Sequence, residues 1–286
     1  MTESPETVLM DGTATARRIV EQAAAAAAAL KADTGVTPCL ATVLVGSDPA
    51  SVTYVRMKQN RSAKAGIASR HVELPETATT ADLVAALTDL SQDPDVHGIL
   101  LQHPVPPQID ERAAFEAVAP QKDVDGVTMH SFAAMAFGEP GFASATPGGI
   151  LRLLDEYEVE LAGRHAVVVG RSPILGKPVG MLLLARDATV TYCHSKTVDL
   201  AAYTREADIL IAAVGRPKFI QGADIKPGAV VIDAGYNPGN VGDVDFDSAI
   251  GKAGLITPVP GGVGPMTIAV LLEQTVEAAR RQVGGR

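Results

Sequence analysis

The 286-residue chain is long enough for two modest α/β domains, and its composition excludes several classes of protein. Hydrophobic residues make up 47% of the chain and charged residues 20%, which excludes gross disorder and predicts a well-filled core. The formal net charge of −9 argues against nucleic acid as a partner, because binding of phosphate backbones depends on clusters of Lys and Arg.

The cysteines and the first residues of the chain indicate in which cellular compartment we expect the protein. Cys39 and Cys193 lie in separate apolar runs and show neither a disulfide framework nor metal-ligand spacing, so we expect a reducing cytoplasm and no bound metal. The first twelve residues do not resemble a secretory signal. The apolar block at 23–29 is much shorter than the roughly 20 residues of a membrane span, so it predicts a soluble helix and no membrane partner.

In the first half of the chain, short β-branched runs alternate with helical patterns, which predicts a parallel sheet covered by helices. Strands are predicted at 40–45, 71–74 and 98–101, and helices at 50–65, 81–90 and 111–118. The Gly- and Pro-rich stretch 138–149 has weak periodicity and predicts the domain junction.

A second series of apolar runs follows a helical stretch at 149–157. Strands are predicted at 166–169, 189–192, 209–214 and 230–232, and helices at 179–185 and 200–206. Such continuous runs are typical of a sheet buried on both faces, so this half is predicted to be doubly wound. A last helix at 267–280 could return to either domain.

The strand at 166–169 runs into a glycine-containing turn from Gly170 to Gly176, which feeds a helix. Free N–H groups and the positive end of the helix dipole would there meet a pyrophosphate, although an ordinary strand-to-helix turn is an even alternative. The next strand ends at His194 and Ser195, without the acidic residue typical of NAD sites. With Arg171 at the same edge, the pattern favours NADP.

Asp48 and Pro49 predict the start of a helix, with Asp as the N-cap. Within this helix Ser51, Tyr54 and Lys58 are spaced by three and four residues and therefore share one face. Taken alone, this face is better explained as a solvated stripe in which Tyr packs on a Lys stem.

Two further polar segments follow predicted strands. Gln102 comes directly after the strand at 98–101, where functional groups of parallel sheets gather. The segment from Lys122 to Gly126 offers two carboxylates, Asp123 and Asp125, on a predicted turn. These carboxylates either cap the turn at the surface or bind a ligand.

Together, these segments resemble the bifunctional methylenetetrahydrofolate dehydrogenase/methenyltetrahydrofolate cyclohydrolase family. The resemblance covers nearly the whole chain and rests on five ordered motifs: 45–51 leading to Tyr54 and Lys58, then 98–102, 122–126, 170–178 and 257–267. It implies two α/β domains with a cleft between them, the second a Rossmann-like doubly wound parallel sheet. We expect a folate-binding catalytic domain at 1–147, completed by the C-terminal helix 267–286, and an NADP-binding domain at 148–266.

The resemblance also implies the chemistry: oxidation of 5,10-methylenetetrahydrofolate with NADP, then hydrolysis of the methenyl product to 10-formyltetrahydrofolate, a part of one-carbon metabolism. It implies that Lys58 is central to hydrolysis, that Gln102 tunes it, that Tyr54 orients the folate and that Asp125 anchors the pterin. Substrate contacts are also implied at Ser51, Gly262 and Pro265. The implied cofactor contacts are Gly170, Arg171, Ser172, Ile174, His194, Ser195, Gly215, Tyr236 and Thr267.

The chain differs from the family pattern at His103, Ser131, Ala145 and Tyr236. The main hypothesis is a cytoplasmic, homodimeric bifunctional enzyme whose partners are tetrahydrofolate derivatives. The alternatives are a specialised paralogue with dehydrogenase activity only and a non-catalytic NADP-binding regulatory protein. An intact set of Tyr54, Lys58, Gln102 and Asp125 favours the first.

Overall fold

The structure, a computed structural model, describes residues 6–47 and 49–284, and the side chains of all of these except 49–54. The strands are β1 (Val8–Leu9), β2 (Cys39–Val45), β3 (Ala68–Leu74), β4 (Gly98–Leu101), β5 (His165–Val169), β6 (Thr189–Cys193), β7 (Ile209–Ala212), β8 (Val230–Asp233) and β9 (Leu255–Ile256). The helices are α1 (Gly12–Thr34), α2 (Pro49–Lys64), α3 (Thr80–Gln92), α4 (Glu111–Glu116), α5 (Met129–Phe137), α6 (Ala145–Glu156), α7 (Gly176–Leu184), α8 (Leu200–Thr204), α9 (Phe246–Ala249) and α10 (Val263–Gly284).

The described residues divide into two compact units, each of which is named after the number of strands in its sheet. The three-stranded unit comprises residues 17–145 and 268–284, and the six-stranded unit comprises residues 6–16 and 146–267. Both sheets are parallel throughout, as the alternation of strands and helices predicts. The predicted α/β class is confirmed.

In the three-stranded unit the strand order is β3-β2-β4. The central strand β2 and the edge strand β4 are almost fully buried, which explains their continuous apolar runs. Helix α3 begins with a capping box, in which the Thr79 side chain accepts from the Asp82 N–H and the Asp82 carboxylate accepts from the Thr79 N–H. Helix α10 adds Ile268, Leu271, Leu272 and Val276 to the core of this unit, and Gln274 donates to the carbonyl oxygens of Val124 and Ala143.

The six-stranded sheet has the order β1-β9-β8-β7-β5-β6. Strand β5 lies between β6 and β7. The chain passes from β5 to β6 on one side of β5 and then crosses to β7 on the other side, so the strand order reverses at β5. This arrangement is doubly wound, and ligands of such sheets bind at the carboxyl ends of the strands beside the reversal. Gly170 follows β5 at that point, and the turn after β7 lies next to it.

The segment before Arg17 differs from the sequence-based expectation, which placed it in the first domain. Strand β1 pairs with β9 at the edge of the six-stranded sheet, where Val8 N–H donates to the Gly254 oxygen at 2.9 Å and Met10 N–H to the Ile256 oxygen at 2.8 Å. A two-residue strand is too short to show a hydrophobic period, so its sheet could not be predicted from local pattern. No helix in the described part of the chain is long and apolar enough to cross a membrane.

Candidate active site

Lys58 and Gln102, which the sequence placed on a helix and at a strand end, meet in the three-stranded unit. The Gln102 N–H donates to the Val43 oxygen at 2.8 Å, which holds this residue against the end of β2. Lys58 Nζ donates to Gln102 Oε1 at 2.9 Å, and Gln102 Nε2 donates to the His103 carbonyl oxygen at 2.9 Å. Because its side-chain Nε2 donates to the His103 carbonyl oxygen, the side-chain amide of Gln102 turns its oxygen Oε1 towards Lys58.

The charge state of Lys58 is shifted by its surroundings. Burial lowers the pKa of Lys58 below its ordinary value, and the Asp125 carboxylate opposes part of that effect. Burial also raises the pKa of Asp125, while His103 and Lys58 act to lower it and Asp123 acts to raise it. Lys58 and Asp125 therefore belong to one electrostatic site, to which His103 contributes. A lysine with a lowered pKa loses its proton more readily, and the amine so formed can accept a proton from a substrate.

The two carboxylates of the segment 122–126 have separate roles. The fully buried Asp123 accepts hydrogen bonds from the N–H groups of Val127 at 3.1 Å and Thr128 at 2.9 Å and from Ser131 Oγ at 2.6 Å. Asp123 is thus the residue that caps the turn, but in the interior and not at the surface. Asp125 is half-buried and interacts electrostatically with Lys58, so it remains the ligand-binding candidate.

The backbone of α2 is helical from Pro49, as expected, so positions 51, 54 and 58 share one helix face. The predicted N-cap Asp48 and the side chains of Ser51 and Tyr54 lie outside the described residues. Their roles stay predictions.

In the six-stranded unit the turn after β5 is built from close backbone contacts. Gly170 has φ 132°, and a Cβ atom there would lie 2.2 Å from the Ala213 oxygen. A Cβ atom on Gly176 would lie 2.5 Å from the Gly170 oxygen. Only glycine fits at these two positions, which explains why they bracket the turn although it lacks the usual three-glycine spacing.

The same turn leaves backbone donors available. Ser172 Oγ accepts from the N–H groups of Leu175 at 3.1 Å and Gly176 at 3.3 Å, which satisfies two donors at the start of α7. None of the described residues accepts from the N–H groups of Arg171, Ser172 or Ile174. These donors, with the exposed Arg171 guanidinium, fit the pyrophosphate of a dinucleotide.

The end of β6 lies beside this turn, because Val169 of β5 pairs with Cys193 of β6. His194 N–H donates to Thr197 Oγ1 at 2.8 Å, and His194 Nδ1 accepts from the Lys196 N–H at 3.1 Å. This compact turn leaves Ser195 and Lys196 exposed, with no carboxylate in the segment 194–197. A hydroxyl and cations at this edge fit a 2′-phosphate, and the assignment of these residues to it stays a prediction.

The remaining predicted positions also lie in the six-stranded unit. Gly215 is exposed after β7, and the exposed Tyr236 after β8 donates from its hydroxyl to Asn240 Oδ1 at 2.8 Å. Thr267 shares a hydrogen bond of 2.9 Å with Thr146 through their Oγ1 atoms. The turn before α10 packs on the start of α1: Gly262 is buried and Pro265 is half-buried, and a Cβ atom on Gly12 would lie 1.8 Å from the Gly262 oxygen.

Sequence reasoning missed a pair of buried carboxylates, Asp233 and Asp243, close to Gly215. Burial raises the pKa of Asp233 to about 6, although three backbone N–H groups favour its charged form. Asp243 accepts from the N–H groups of Val214, Gly215 and Arg216. Two features of the sequence could have indicated this pair: Asp233 directly follows the apolar run 230–232, and Gly242 directly precedes Asp243.

A glycine-built turn where the strand order of a doubly wound sheet reverses is typical of nucleotide-dependent oxidoreductases. A half-buried lysine with a lowered pKa is typical of sites that transfer protons. The fold and the two clusters therefore define a nucleotide-dependent enzyme.

Comparison with known proteins identifies its family. Residues 10–125 match the catalytic domain of tetrahydrofolate dehydrogenase/cyclohydrolase, and residues 144–283 match the NAD(P)-binding domain of the same family. The chain is 76% identical to Bifunctional protein FolD 1 of Streptomyces avermitilis over 276 residues, 96% of each chain. The chain belongs to the tetrahydrofolate dehydrogenase/cyclohydrolase family, and the family expected from the motifs is confirmed.

Solved structures agree with this assignment. The bifunctional FolD enzyme of Campylobacter jejuni has a TM-score of 0.94 and 42% identity, over 96% of this chain and 99% of that one. The methylenetetrahydrofolate dehydrogenase-cyclohydrolase of Trypanosoma brucei, complexed with NADP and an inhibitor, has a TM-score of 0.94 and 37% identity, over 98% and 99%. The predicted Rossmann-like fold and the predicted dehydrogenase and cyclohydrolase enzyme are thereby confirmed.

Proposed function

We propose that this protein oxidises 5,10-methylenetetrahydrofolate with NADP and hydrolyses the resulting methenyl cation to 10-formyltetrahydrofolate, with Lys58 as the proton-transfer group. The observation that carries the proposal is the hydrogen bond of 2.9 Å between Lys58 Nζ and Gln102 Oε1, on a lysine whose pKa is lowered by burial. Family membership supplies the reaction pair, and this contact supports the roles of the individual residues.

In the hydrolysis step, water adds to the methenyl carbon and must lose a proton as the new C–O bond forms. The neutral amine of Lys58 accepts that proton, and the ammonium so formed returns it to the nitrogen that departs from the same carbon. As that C–N bond breaks, the hydroxyl of the adduct becomes the formyl C=O and releases its own proton to solvent. Gln102 Oε1 keeps the amine at one place throughout, because its own amide is held on the His103 carbonyl oxygen. The positive charge of the methenyl substrate, once bound, favours the neutral lysine further.

For the oxidation step, bound NADP would supply the hydride acceptor for the methylene carbon. That carbon is already activated by two nitrogens, so the protein needs mainly to align donor and acceptor and not to supply an acid or a base. Asp125 acts as a charge-assisted acceptor for the amino edge of the pterin, and Tyr54 stacks on the folate. Ser51, Gly262 and Pro265 complete the proposed folate contacts.

The proposed NADP site comprises Gly170, Arg171, Ser172, Ile174, His194, Ser195, Gly215, Tyr236 and Thr267. Its selectivity for NADP over NAD is assigned to Arg171 and Ser195, which offer a guanidinium and a hydroxyl to the 2′-phosphate. The proposal is supported by the paired ends of β5 and β6 and by the lack of a carboxylate in the segment 194–197.

An absorbance assay tests this function directly. Purified protein mixed with methylenetetrahydrofolate and NADP should produce methenyl absorbance that rises and then decays faster than in a control without enzyme. A parallel reaction with NAD should be slower. A rise without accelerated decay would point to a dehydrogenase alone, and no rise with either nucleotide would refute the enzymatic assignment.

The expected homodimer and cytoplasmic location belong to the same proposal. The free state of Cys39 and Cys193 supports a reducing compartment. Light scattering should give a mass of about 59 kDa, twice the 29.6 kDa of one chain, and a mass of one chain would contradict the homodimer.

A further inference from the structure

Asp243 is a fully buried carboxylate that binds only uncharged donors among the described residues. Its Oδ2 atom accepts from the N–H groups of Val214 at 2.6 Å and Gly215 at 2.8 Å. Its Oδ1 atom accepts from the N–H of Arg216 at 2.8 Å and from Asn237 Nδ2 at 3.1 Å. One side chain therefore holds three consecutive backbone N–H groups of the turn that follows β7.

A second buried carboxylate holds the first in place. Asp233, the last residue of β8, accepts from the N–H groups of Gly235, Asp243 and Val244, each at 2.9 Å. A Cβ atom on Gly235 would lie 2.2 Å from Asp243 Cγ, and a Cβ atom on Gly242 would lie 1.9 Å from Asp233 Oδ2. Any larger residue at these two glycines would displace a carboxylate, so the chain is built around both acids.

The turn held by Asp243 lies at the proposed cofactor edge. It follows β7, the neighbour of β5, and its first part touches Gly170 through the Ala213 oxygen. Gly215 has φ 64° and is exposed, and a Cβ atom there would have no neighbour within 4 Å. The turn thus presents an open glycine surface beside the glycine-built turn after β5.

Three successive N–H groups that converge on one point form a nest for an anion. Here Asp243 already occupies the nest, so these donors are committed to the protein and not to a phosphate. A ligand would therefore meet the turn on its outer side, where Gly215 and Arg216 are exposed. The position of that surface depends on the carboxylate behind it.

We infer that Asp243 is a positioning residue for NADP, which fixes the turn 214–216 in its ligand-binding conformation, and that Asp233 acts behind it. This inference rests on the proposed function, in which Gly215 contacts NADP. The role is indirect, because Asp243 is buried under the turn and acts through backbone that a nucleotide touches. Loss of its hydrogen bonds should weaken NADP binding and leave the site of Lys58 unchanged.

The variant Asp243→Asn tests this role, because an amide keeps the size of the side chain but replaces one acceptor oxygen with a donor that opposes the backbone N–H groups. We expect the Kd and the KM for NADP to rise about tenfold or more. The kcat of hydride transfer should change much less than KM. Hydrolysis of added methenyltetrahydrofolate, measured without NADP, should stay within about twofold of wild type, since Lys58 and Gln102 belong to the other unit.

A milder variant and a charge control complete the experiment. Asn237→Ala removes one donor to Asp243 and should raise the Kd for NADP several-fold with hydrolysis intact, so it decides the question if Asp243→Asn does not fold. Asp247→Asn removes an exposed charge from the same segment and should leave the Kd for NADP unchanged.

An NADP Kd within twofold of wild type in both Asp243→Asn and Asn237→Ala would overturn the inference. So would a parallel loss of hydrolysis in Asn237→Ala, which would show a purely structural role. If the wild-type protein neither bound NADP nor hydrolysed the methenyl substrate, the proposed function itself would fail, which is a separate result.

Discussion

Replacement of Lys58 by Met should abolish hydrolysis of the methenyl substrate and leave hydride transfer largely in place. Only hydrolysis needs a group that takes up and returns a proton, and the side chain that donates to Gln102 Oε1 at 2.9 Å is the proposed group. Met has nearly the same length and shape but neither donates a hydrogen bond nor accepts a proton. The change therefore separates the two reactions by their chemistry.

The size of the effect follows from the contacts of Lys58. A positioned acid or base contributes about 10²–10⁴-fold in rate, which corresponds to about 3–5 kcal/mol at 1.36 kcal/mol per factor of ten. Stability should change little, because Gln102 loses one partner at a cost of about 1 kcal/mol while burial of an amine is relieved. The second hydrogen bond of Gln102, to the His103 oxygen, stays in place.

The assay follows both reactions on the same preparation. Decay of methenyltetrahydrofolate absorbance without nucleotide reports hydrolysis, and formation of NADPH from methylenetetrahydrofolate reports hydride transfer. Lys64→Met is the matched control, because Lys64 is exposed in the last turn of the same helix and should tolerate the change in both reactions. Equal loss of both activities in Lys58→Met would refute the reasoning and show that Lys58 mainly holds the substrate.

Three further predictions follow from the same contacts. Enzyme-catalysed hydrolysis should become faster as the pH rises and Lys58 loses its proton, with an apparent pKa below the ordinary lysine value of 10.5, because burial favours the neutral amine. The pH–rate profile of Lys58→Arg, which stays charged, should lack this rise. The same rise in wild type and in Lys58→Arg would contradict Lys58 as the titrating base. Arg171→Ala should raise the Kd for NADP about tenfold to a hundredfold and the Kd for NAD about twofold at most, because a charge-assisted hydrogen bond to the 2′-phosphate is worth about 1.5–3 kcal/mol. Titration calorimetry measures both constants. The same factor for both nucleotides would contradict the assignment of Arg171 to the 2′-phosphate. Asp123→Ala should lower the free energy of unfolding by about 3 kcal/mol, since it leaves the buried partners of this carboxylate unpaired. In urea denaturation the control Glu139→Gln, at an exposed residue, should change this free energy by less than about 0.5 kcal/mol. A change as small as that of the control for Asp123→Ala would contradict its role as a buried cap.

Much of the fold could be predicted from local pattern. Strand β4 was predicted with its observed bounds, and β2, β5, β6 and β8 were predicted to within one residue at each end. Continuous apolar runs mark strands buried on both faces, and such runs are visible without any knowledge of partners. Helix α7 begins three residues earlier than predicted because its first turn contains Gly176 and Pro178, which do not show the apolar period.

The candidate site could be predicted only in part. Gln102 was singled out because it follows a strand. The helix face shared by Lys58 and Tyr54 indicated only a solvated stripe, and the family resemblance implied the role of Lys58. The contact between Lys58 and Gln102 is a tertiary fact, since 44 residues separate them along the chain. Asp243 was missed because its main partners are backbone N–H groups of a distant turn. Nearly every residue has a backbone N–H, so the sequence does not show which of them will bind a given carboxylate.

The sequence by itself determined the α/β class, the two sheets, the glycine turn at Gly170 and which side chains carry polar or ionisable groups. These depend on periodicity, on conformations available only to glycine and on side-chain functional groups, all of which are local properties. Tertiary structure alone decided that β1 joins the six-stranded sheet, that Asp123 is a buried cap while Asp125 interacts electrostatically with Lys58, and that Asp243 accepts from the backbone of the turn at Gly215. The physical reason is that the burial of a carboxylate, its pKa and its donors are set by neighbours distant in sequence, and folding brings these together.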